Sequence, residues 1–252
     1  MIRLLQLSDL HIASPLTDPV GSAEYLALLQ AVVAHARQRW PVLDGVVLTG
    51  DLSQEGSAES YAALQTVLLP WAVPLYCVAG NHDLAAVMRQ HLVTGLIQMP
   101  TRWVSASWQS LFLDTTQPLQ VQGYLGQNRL QALNAQLAAT PPHLHTLIWM
   151  HHPPFSVGNV WMDALALTDA TAFWTVVTQY PQVKAVLCGH VHQAFTGLYQ
   201  GIRVLTAPST NRQFKPGCEQ FELDALGPGY RWLLLADDGT LSTGIERIEG
   251  LF

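Results

Sequence analysis

Apolar residues along this chain follow two patterns. Short unbroken runs stop at Gly, Asp or His, while longer stretches repeat their apolar positions every three or four residues. The first pattern predicts buried strands in IRLLQL, DGVVLTG, PLYCVAG, WQSLFLD, TLIWMHH and KAVLCGH. The second predicts amphipathic helices between them. AEYLALLQAVVAHARQ brings Leu26, Leu29 and Val33 to one face. SAESYAALQTVLL does the same with Tyr61, Leu64 and Leu68, with Ser57 as N-cap and Pro70 at its end. QNRLQALNAQLAA, closed by Pro141 and Pro142, and TDATAFWTVVTQY, closed by Pro181, complete the set. Beyond about residue 190 the helical pattern stops. FTGLYQGIRVLTAPS and YRWLLLADDGTLSTGIERI read as antiparallel strands, the second turning at Asp238-Gly239.

Strands alternating with helices, then a β-rich tail, with no repeat or linker between them, predict one domain over residues 1–252. The expected fold class is α/β: a four-layer α-β-β-α sandwich of two mixed sheets with outer helices.

Polar residues gather at one recurring place. Asp9 and His11 follow IRLLQLS, and Asp51 follows GVVLTG. Asn81, His82 and Asp83 follow YCVAG; His151 and His152 follow TLIWM; His190 and His192 follow AVLCG. Each cluster lies just past the carboxyl end of an expected buried strand, the edge where open α/β sheets bind ligands. If those strands are parallel neighbours, the five clusters converge on one rim. Taken singly, each has a plainer use. Asp and Asn serve turns, a histidine pair can face solvent, and GHVH read as an extended segment puts both rings on one face. Their repetition at strand ends outweighs those readings.

The donor types point to metal chemistry. Asp, Asn and His without cysteine form a mixed nitrogen and oxygen set that suits Fe, Mn, Zn or Co rather than thiolate-preferring ions. Asp9, His11, Asp51, Asn81, His151, His190 and His192 are seven groups, too many for one ion. Two ions ~3.5–4 Å apart could share one carboxylate and act on a phosphoryl group.

Composition narrows the partners. Twelve Lys and Arg against 18 Asp and Glu leave a net charge of −6, with no basic run, so no nucleic-acid partner is expected. No apolar stretch approaches the ~20 residues of a membrane span, and the first residues lack a secretory pattern. Cys77, Cys188 and Cys218 are widely spaced, and a cytoplasmic setting is expected. Of the ten histidines, His35, His91, His143 and His145 lie outside the clusters and read as structural or solvated. Trp40, Trp71, Trp103, Trp108, Trp149 and Trp174 read as core or interface aromatics; Trp161 sits in a loop able to cover the site.

In this order D-x-H, G-D, G-N-H-D, H-H-P-P and G-H-x-H resemble the calcineurin-like metallophosphoesterase family, with the motifs spanning residues 9–192. HHPPFSVGNVWMD, LCGHVHQ and APSTNRQFKPGCEQFELDALGPGYRWLLLADDGTL narrow the resemblance to bacterial class III 3′,5′-cyclic AMP phosphodiesterases. The resemblance implies that Asp9, His11, Asp51 and His192 hold one metal ion, and Asp51, Asn81, His151 and His190 the other. The ions would be Mn or Fe, with Zn also compatible. His82 would contact the phosphate and protonate the leaving oxygen, and Asp83 would orient His82 or brace its turn. His152 would stand behind the ligands.

The implied activity is hydrolysis of a 3′,5′-cyclic nucleotide to its 5′-monophosphate by a metal-bridging hydroxide. The expected partner is a small phosphodiester, with a homodimer left open. Glycerophosphodiester phosphodiesterases of the same family share HHPP followed by residues matching Gly158, Asn159, Met162 and Asp163, and supply the alternative substrate class. Family members that act as trafficking scaffolds lose motif histidines; here His82 is present.

Overall fold

A computed structural model describes residues 1–250, so the expected domain limit at residue 252 lies outside the described residues. The first half runs β1 (Ile2–Leu7), α1 (Pro19–Arg39), β2 (Gly45–Thr49), α2 (Ala58–Leu68), β3 (Leu75–Val78), α3 (Ala85–His91), β4 (Ile97–Gln98), β5 (Arg102–Ser105), β6 (Trp108–Phe112) and α4 (Gly126–Ala138). The second runs β7 (His145–Trp149), α5 (Val160–Asp163), α6 (Ala170–Val177), β8 (Val183–Cys188), β9 (Phe195–Tyr199), β10 (Ile202–Thr206), β11 (Gln213–Phe214), β12 (Leu223–Asp224), β13 (Gly229–Leu235) and β14 (Leu241–Arg247).

Two six-stranded mixed sheets result, ordered β14-β13-β1-β2-β3-β4 and β5-β6-β7-β8-β10-β9. Strands β1 to β4 are parallel, with β13 antiparallel to β1. In the other sheet β6, β7, β8 and β10 are parallel, with antiparallel β5 and β9 at the edges.

Three apolar clusters separate the four layers, as a sandwich requires. Leu5, Leu7, Val46 and Leu48 pack with Leu29, Val33 and Leu64 of the first helical layer. Ile148, Val186 and Val204 pack with Leu133, Leu137 and Phe173 of the second. Ile2, Leu4 and Val47 meet Trp149, Leu187 and Leu205 between the sheets. Both faces of each central strand are therefore buried, which is why these strands read as continuous apolar runs rather than alternating ones.

The expected strands and helices lie where the pattern places them. Ser57 caps α2 by accepting from the Ser60 N–H at 3.2 Å. The pattern misses β4, β5, β11 and β12, which are short or partly exposed strands with too few residues to show a period. It also extends α6 to residue 180, past its end at Val177.

Candidate metal centre

The five clusters meet, but not on one sheet edge. Strands β1, β2 and β3 deliver Asp9, His11, Asp51, Asn81 and His82 from the first sheet. Strands β7 and β8 deliver His151, His152, His190 and His192 from the facing sheet. Gln6 ties the two rims together, its Nε2 donating to Thr49 Oγ1 at 3.0 Å and to the Cys188 carbonyl at 2.9 Å.

The backbone turns sharply to bring these side chains inward. Asp9, His11, Asp51, His190 and His192 all have positive φ, between 48° and 72°. Such values cost about 1–3 kcal/mol each for non-glycine residues and persist where the surroundings impose them. GHVH is accordingly not the extended segment its alternation suggests. Left-handed backbone at both histidines sends His190 toward His151 and His192 toward His11 instead of along one face. Two glycines make room: a Cβ on Gly50, at φ +88°, would strike the His151 ring, and one on Gly80 would strike the Asp51 carboxylate.

Ligating atoms cluster in overlapping groups, each within 4.8 Å: Asp9, His11 and His192; His11, Asp51 and His82; Asp9, Asp51 and His151; His151, His152 and His190. Asp51 lies between the two ends, its Oδ2 3.7 Å from His11 Nε2 and 3.2 Å from His151 Nε2. Asn81 Oδ1 is 3.2 Å from the same His151 nitrogen. Asp9 Oδ1 is 3.6 Å from His192 Nε2, and its carboxylate accepts from the His190 N–H at 3.0 and 3.1 Å.

Other groups fix the outer ring nitrogens. His151 Nδ1 donates to the Thr49 carbonyl at 2.8 Å and His192 Nδ1 to the Arg212 carbonyl at 2.8 Å. His11 Nδ1 donates to Gln54 Oε1 at 2.8 Å. These bonds turn the Nε2 atoms of all three rings inward, as partners of metal-ligating histidines do. His190 Nε2 is buried and has no hydrogen-bond partner among the described residues. A donor set of imidazole nitrogens and carboxylate oxygens with inward lone pairs fits a pair of cations, and an orphaned buried nitrogen is hard to explain otherwise.

Electrostatics agree. Burial lowers His11 to about 4 and holds His190 and His192 well below the usual imidazole value, so these rings are neutral. Burial alone would lower His151 too, but the carboxylates of Asp51 and Asp9 outweigh it and raise it to about 9. Burial raises Asp9 to about 7 against the pull of His151. Asp51 is also buried, yet His151, His11 and His82 keep it well below the ordinary carboxylate value. Buried carboxylates this close demand positive charge.

The remaining expected residues take different positions. His82 Nδ1 donates to the Gln54 carbonyl at 2.8 Å, and its backbone N–H donates to Asp51 Oδ1 at 2.9 Å. Asp83 accepts from the N–H groups of Gly80, Leu52 and Ser53 and from the Tyr61 hydroxyl, at 2.9 to 3.1 Å, the bonding of a turn brace. His152 has both ring nitrogens engaged: Nδ1 with Thr115 Oγ1 at 2.7 Å, and Nε2 donating to the Val121 carbonyl at 2.9 Å. Trp161 lies in the one-turn helix α5 against Phe214 and Phe221 rather than in a loop. Gln54 had no sequence signal; glutamine three residues after an aspartate occurs everywhere, and only the fold brings it to two histidines.

Comparison with known proteins now has a geometry to attach to. A family model described as calcineurin-like phosphoesterase matches residues 2–194. The 3′,5′-cyclic adenosine monophosphate phosphodiesterase CpdA of Vibrio vulnificus is 37% identical over 248 residues, covering 98% of this chain and 90% of that protein. A 3′,5′-cyclic-nucleotide phosphodiesterase of Nostoc is 34% identical over 98% of this chain and 92% of its own. Among solved structures, a dimetal phosphatase from Danio rerio superposes with a TM-score of 0.67 at 14% identity, covering 92% of this chain and 94% of that one. The inner-membrane-complex anchor GAP50 of Plasmodium superposes with a TM-score of 0.71 at 13% identity, covering 98% and 84%. These two likenesses speak to the fold, whereas the family match and the two phosphodiesterases reach the site motifs. The chain belongs to the calcineurin-like phosphoesterase family.

Proposed function

We propose that the chain is a dinuclear-metal phosphodiesterase, one catalytic unit over its length, that opens 3′,5′-cyclic nucleotides to 5′-monophosphates. Asp9, His11, Asp51 and His192 hold one ion; Asp51, Asn81, His151 and His190 hold the other; Mn or Fe suits the donors, with Zn as the alternative. The observation that carries the reading is Asp51 Oδ2 lying within 3.7 Å of His11 Nε2 and 3.2 Å of His151 Nε2, where one carboxylate serves both ends. Relatives named as cyclic-nucleotide phosphodiesterases that align over 98% of the chain support the substrate class.

When bound, a pair of ions lowers the pKa of a water and offsets charge on phosphoryl oxygens. His82 supplies the proton. Its Nδ1–H is committed to the Gln54 carbonyl, so Nε2 is the atom free to serve the leaving group. The oxygen of a water forms the new bond to phosphorus as the P–O3′ bond breaks; the 3′-oxygen takes its proton from His82 Nε2, the water's proton passes to solvent, and the 5′-monophosphate leaves. Asp83 braces the loop that carries His82 through its four accepted bonds. His152 holds the β7 loop through Thr115 and Val121. Three free thiols, two of them buried, agree with a cytoplasmic setting. No described helix is long and apolar enough to cross a membrane.

The test is turnover by the Mn²⁺-loaded protein of 3′,5′-cyclic AMP beside 2′,3′-cyclic AMP and glycerophosphoethanolamine, read by chromatography. Preference for the 3′,5′-cyclic substrate, giving 5′-AMP, supports the reading. Fast cleavage of the glycerol diester with an intact cyclic nucleotide moves the substrate to lipid headgroup diesters. Light scattering of the same sample reads the homodimer.

A further inference from the structure

Beside His192 stand three aromatic rings that the metal centre does not use. Phe214, on β11, lies flat on the His192 ring, with centroids 4.0 Å apart and planes inclined by 5°. Trp161, on α5, is 5.3 Å from Phe214 and 5.4 Å from Phe221. Phe214 and Phe221 are 5.3 Å apart and cross at 75°. The cluster is held to the site from two sides. The Phe214 N–H donates to the His192 carbonyl at 3.3 Å, and Asn159 Nδ2 donates to the Lys215 carbonyl at 3.2 Å.

Burial does not account for this arrangement. Phe221 is 59% exposed, Val160, next in sequence to Trp161, is 65% exposed, and Leu223, two residues after Phe221, is 48% exposed. Three rings that gather beside His192 and leave Phe221 largely in water offer π surface to a partner, not to the protein's own core. Two side-chain atoms at the same place, Asn159 Oδ1 and Trp161 Nε1, are buried without a hydrogen-bond partner among the described residues. Native structures keep few such groups, and each calls for a reason; a segment that adjusts on ligand binding supplies one.

Resting on the reaction proposed above, we propose that Trp161, Phe214 and Phe221 are the seat of the substrate's nucleobase on the His192 side of the centre. Because Phe214 already stacks on His192, a ring laid against this cluster lies on the flank of the centre that His192 forms. Stacking on aromatic faces favours any base and distinguishes poorly between bases, since every base has a π face. The seat therefore selects nucleotides over ring-free diesters far more strongly than adenine over guanine.

Calorimetry on the Mn²⁺-loaded protein tests this without turnover, using 5′-AMP and ribose 5-phosphate, which differ only by the base. The protein should bind 5′-AMP about five- to hundredfold tighter. Phe221→Ala and Trp161→Ala, neither of which touches a metal-site histidine, should bring the two affinities together by weakening 5′-AMP alone, with Mn content retained. Phe221→Tyr, which keeps a ring, should restore the preference. Equal affinities in the unmodified protein, or variants that weaken both ligands alike, overturn the seat. A loaded protein that leaves 3′,5′-cyclic AMP intact, yet prefers 5′-AMP through these rings, keeps the seat and sinks the assigned reaction.

Discussion

His11 and His192 face each other through their Nε2 atoms at 3.0 Å, although both rings are held neutral and both Nδ1 atoms are already donating elsewhere. Two lone pairs at that distance repel. An ion that both rings ligate would draw the two lone pairs toward one positive charge, so the same geometry becomes favourable around a cation. Chelation should therefore destabilise the protein as well as inactivate it. Mn²⁺ at about a hundred times its dissociation constant contributes about 2.7 kcal/mol per site. At this chain length that is about 5–10 °C in melting temperature per site. Thermal melts with EDTA and with added Mn²⁺ read the difference, and identical curves would count against an ion between these histidines.

Asp51→Asn should cost at least one ion and most of the activity, because Asp51 Oδ2 lies 3.7 Å from His11 Nε2 and 3.2 Å from His151 Nε2, in reach of both ends of the site. His82→Ala should keep both ions and lose about 10²–10⁴ in rate, the contribution of a placed proton donor. Elemental analysis beside turnover separates the two. Metal loss in His82→Ala with full occupancy in His192→Ala would make the ligand assignment wrong.

Gln54 touches two histidines through different atoms: its side chain accepts from His11 and its carbonyl accepts from His82. Gln54→Ala removes the first contact and keeps the second. Metal affinity should fall about 10–100-fold, while turnover at saturating Mn²⁺ stays near normal. A drop in saturated turnover with unchanged affinity is the outcome that contradicts this division.

The pH response has two opposite parts. Burial lowers His11 to about 4 and His152 to about 3, against an ordinary value of about 6.5. Their contribution to stability is full above about pH 6.5 and is lost as pH falls from there toward those values. His151 is raised to about 9, against burial, by Asp51 and Asp9, so its contribution is full below about pH 6.5 and is lost as pH rises through about 9. Chelated protein should thus melt highest near neutral pH and lower on both sides in circular dichroism. At about pH 7.5, Mn²⁺ must displace the His151 proton, so calorimetry in buffers of different ionisation enthalpy should detect release of about one proton per chain. No release would show that His151 is already neutral.

Arg231 is only 1% exposed, and no carboxylate pairs with it among the described residues. From β13 in one sheet its guanidinium donates to the Thr206 and Phe195 carbonyls of the other at 2.8 to 3.0 Å, and to Thr243 Oγ1 at 3.1 Å. Burial, helped by Arg203, lowers it to about 10, so it stays charged at neutral pH. Arg231→Leu should leave those carbonyls unbonded between the sheets and cost about 2–4 kcal/mol. Arg231→Lys should recover little, because one ammonium cannot reproduce the planar fork. Urea titration reads the loss, and the folded variants should keep their metal content.

Much of this molecule is legible without coordinates, for a local reason. Element type follows from short unbroken apolar runs and from the 3.6 period, so IRLLQL, GVVLT and KAVLC are strands, and the stretch around Leu26, Leu29 and Val33 is a helix, from their neighbours alone. Donor chemistry is equally local: aspartate, asparagine and histidine after each strand, with no cysteine among them. Which donors share a centre is not. His11 and His192 are separated by 181 positions and meet only because β1 and β8 belong to facing sheets whose strand order no local pattern encodes. The left-handed backbone at five donors, the double use of Gln54 and the bracing of Asp83 by four donors likewise come from packing around them. A positive φ on a non-glycine residue opposes local preference and exists only where the rest of the fold imposes it.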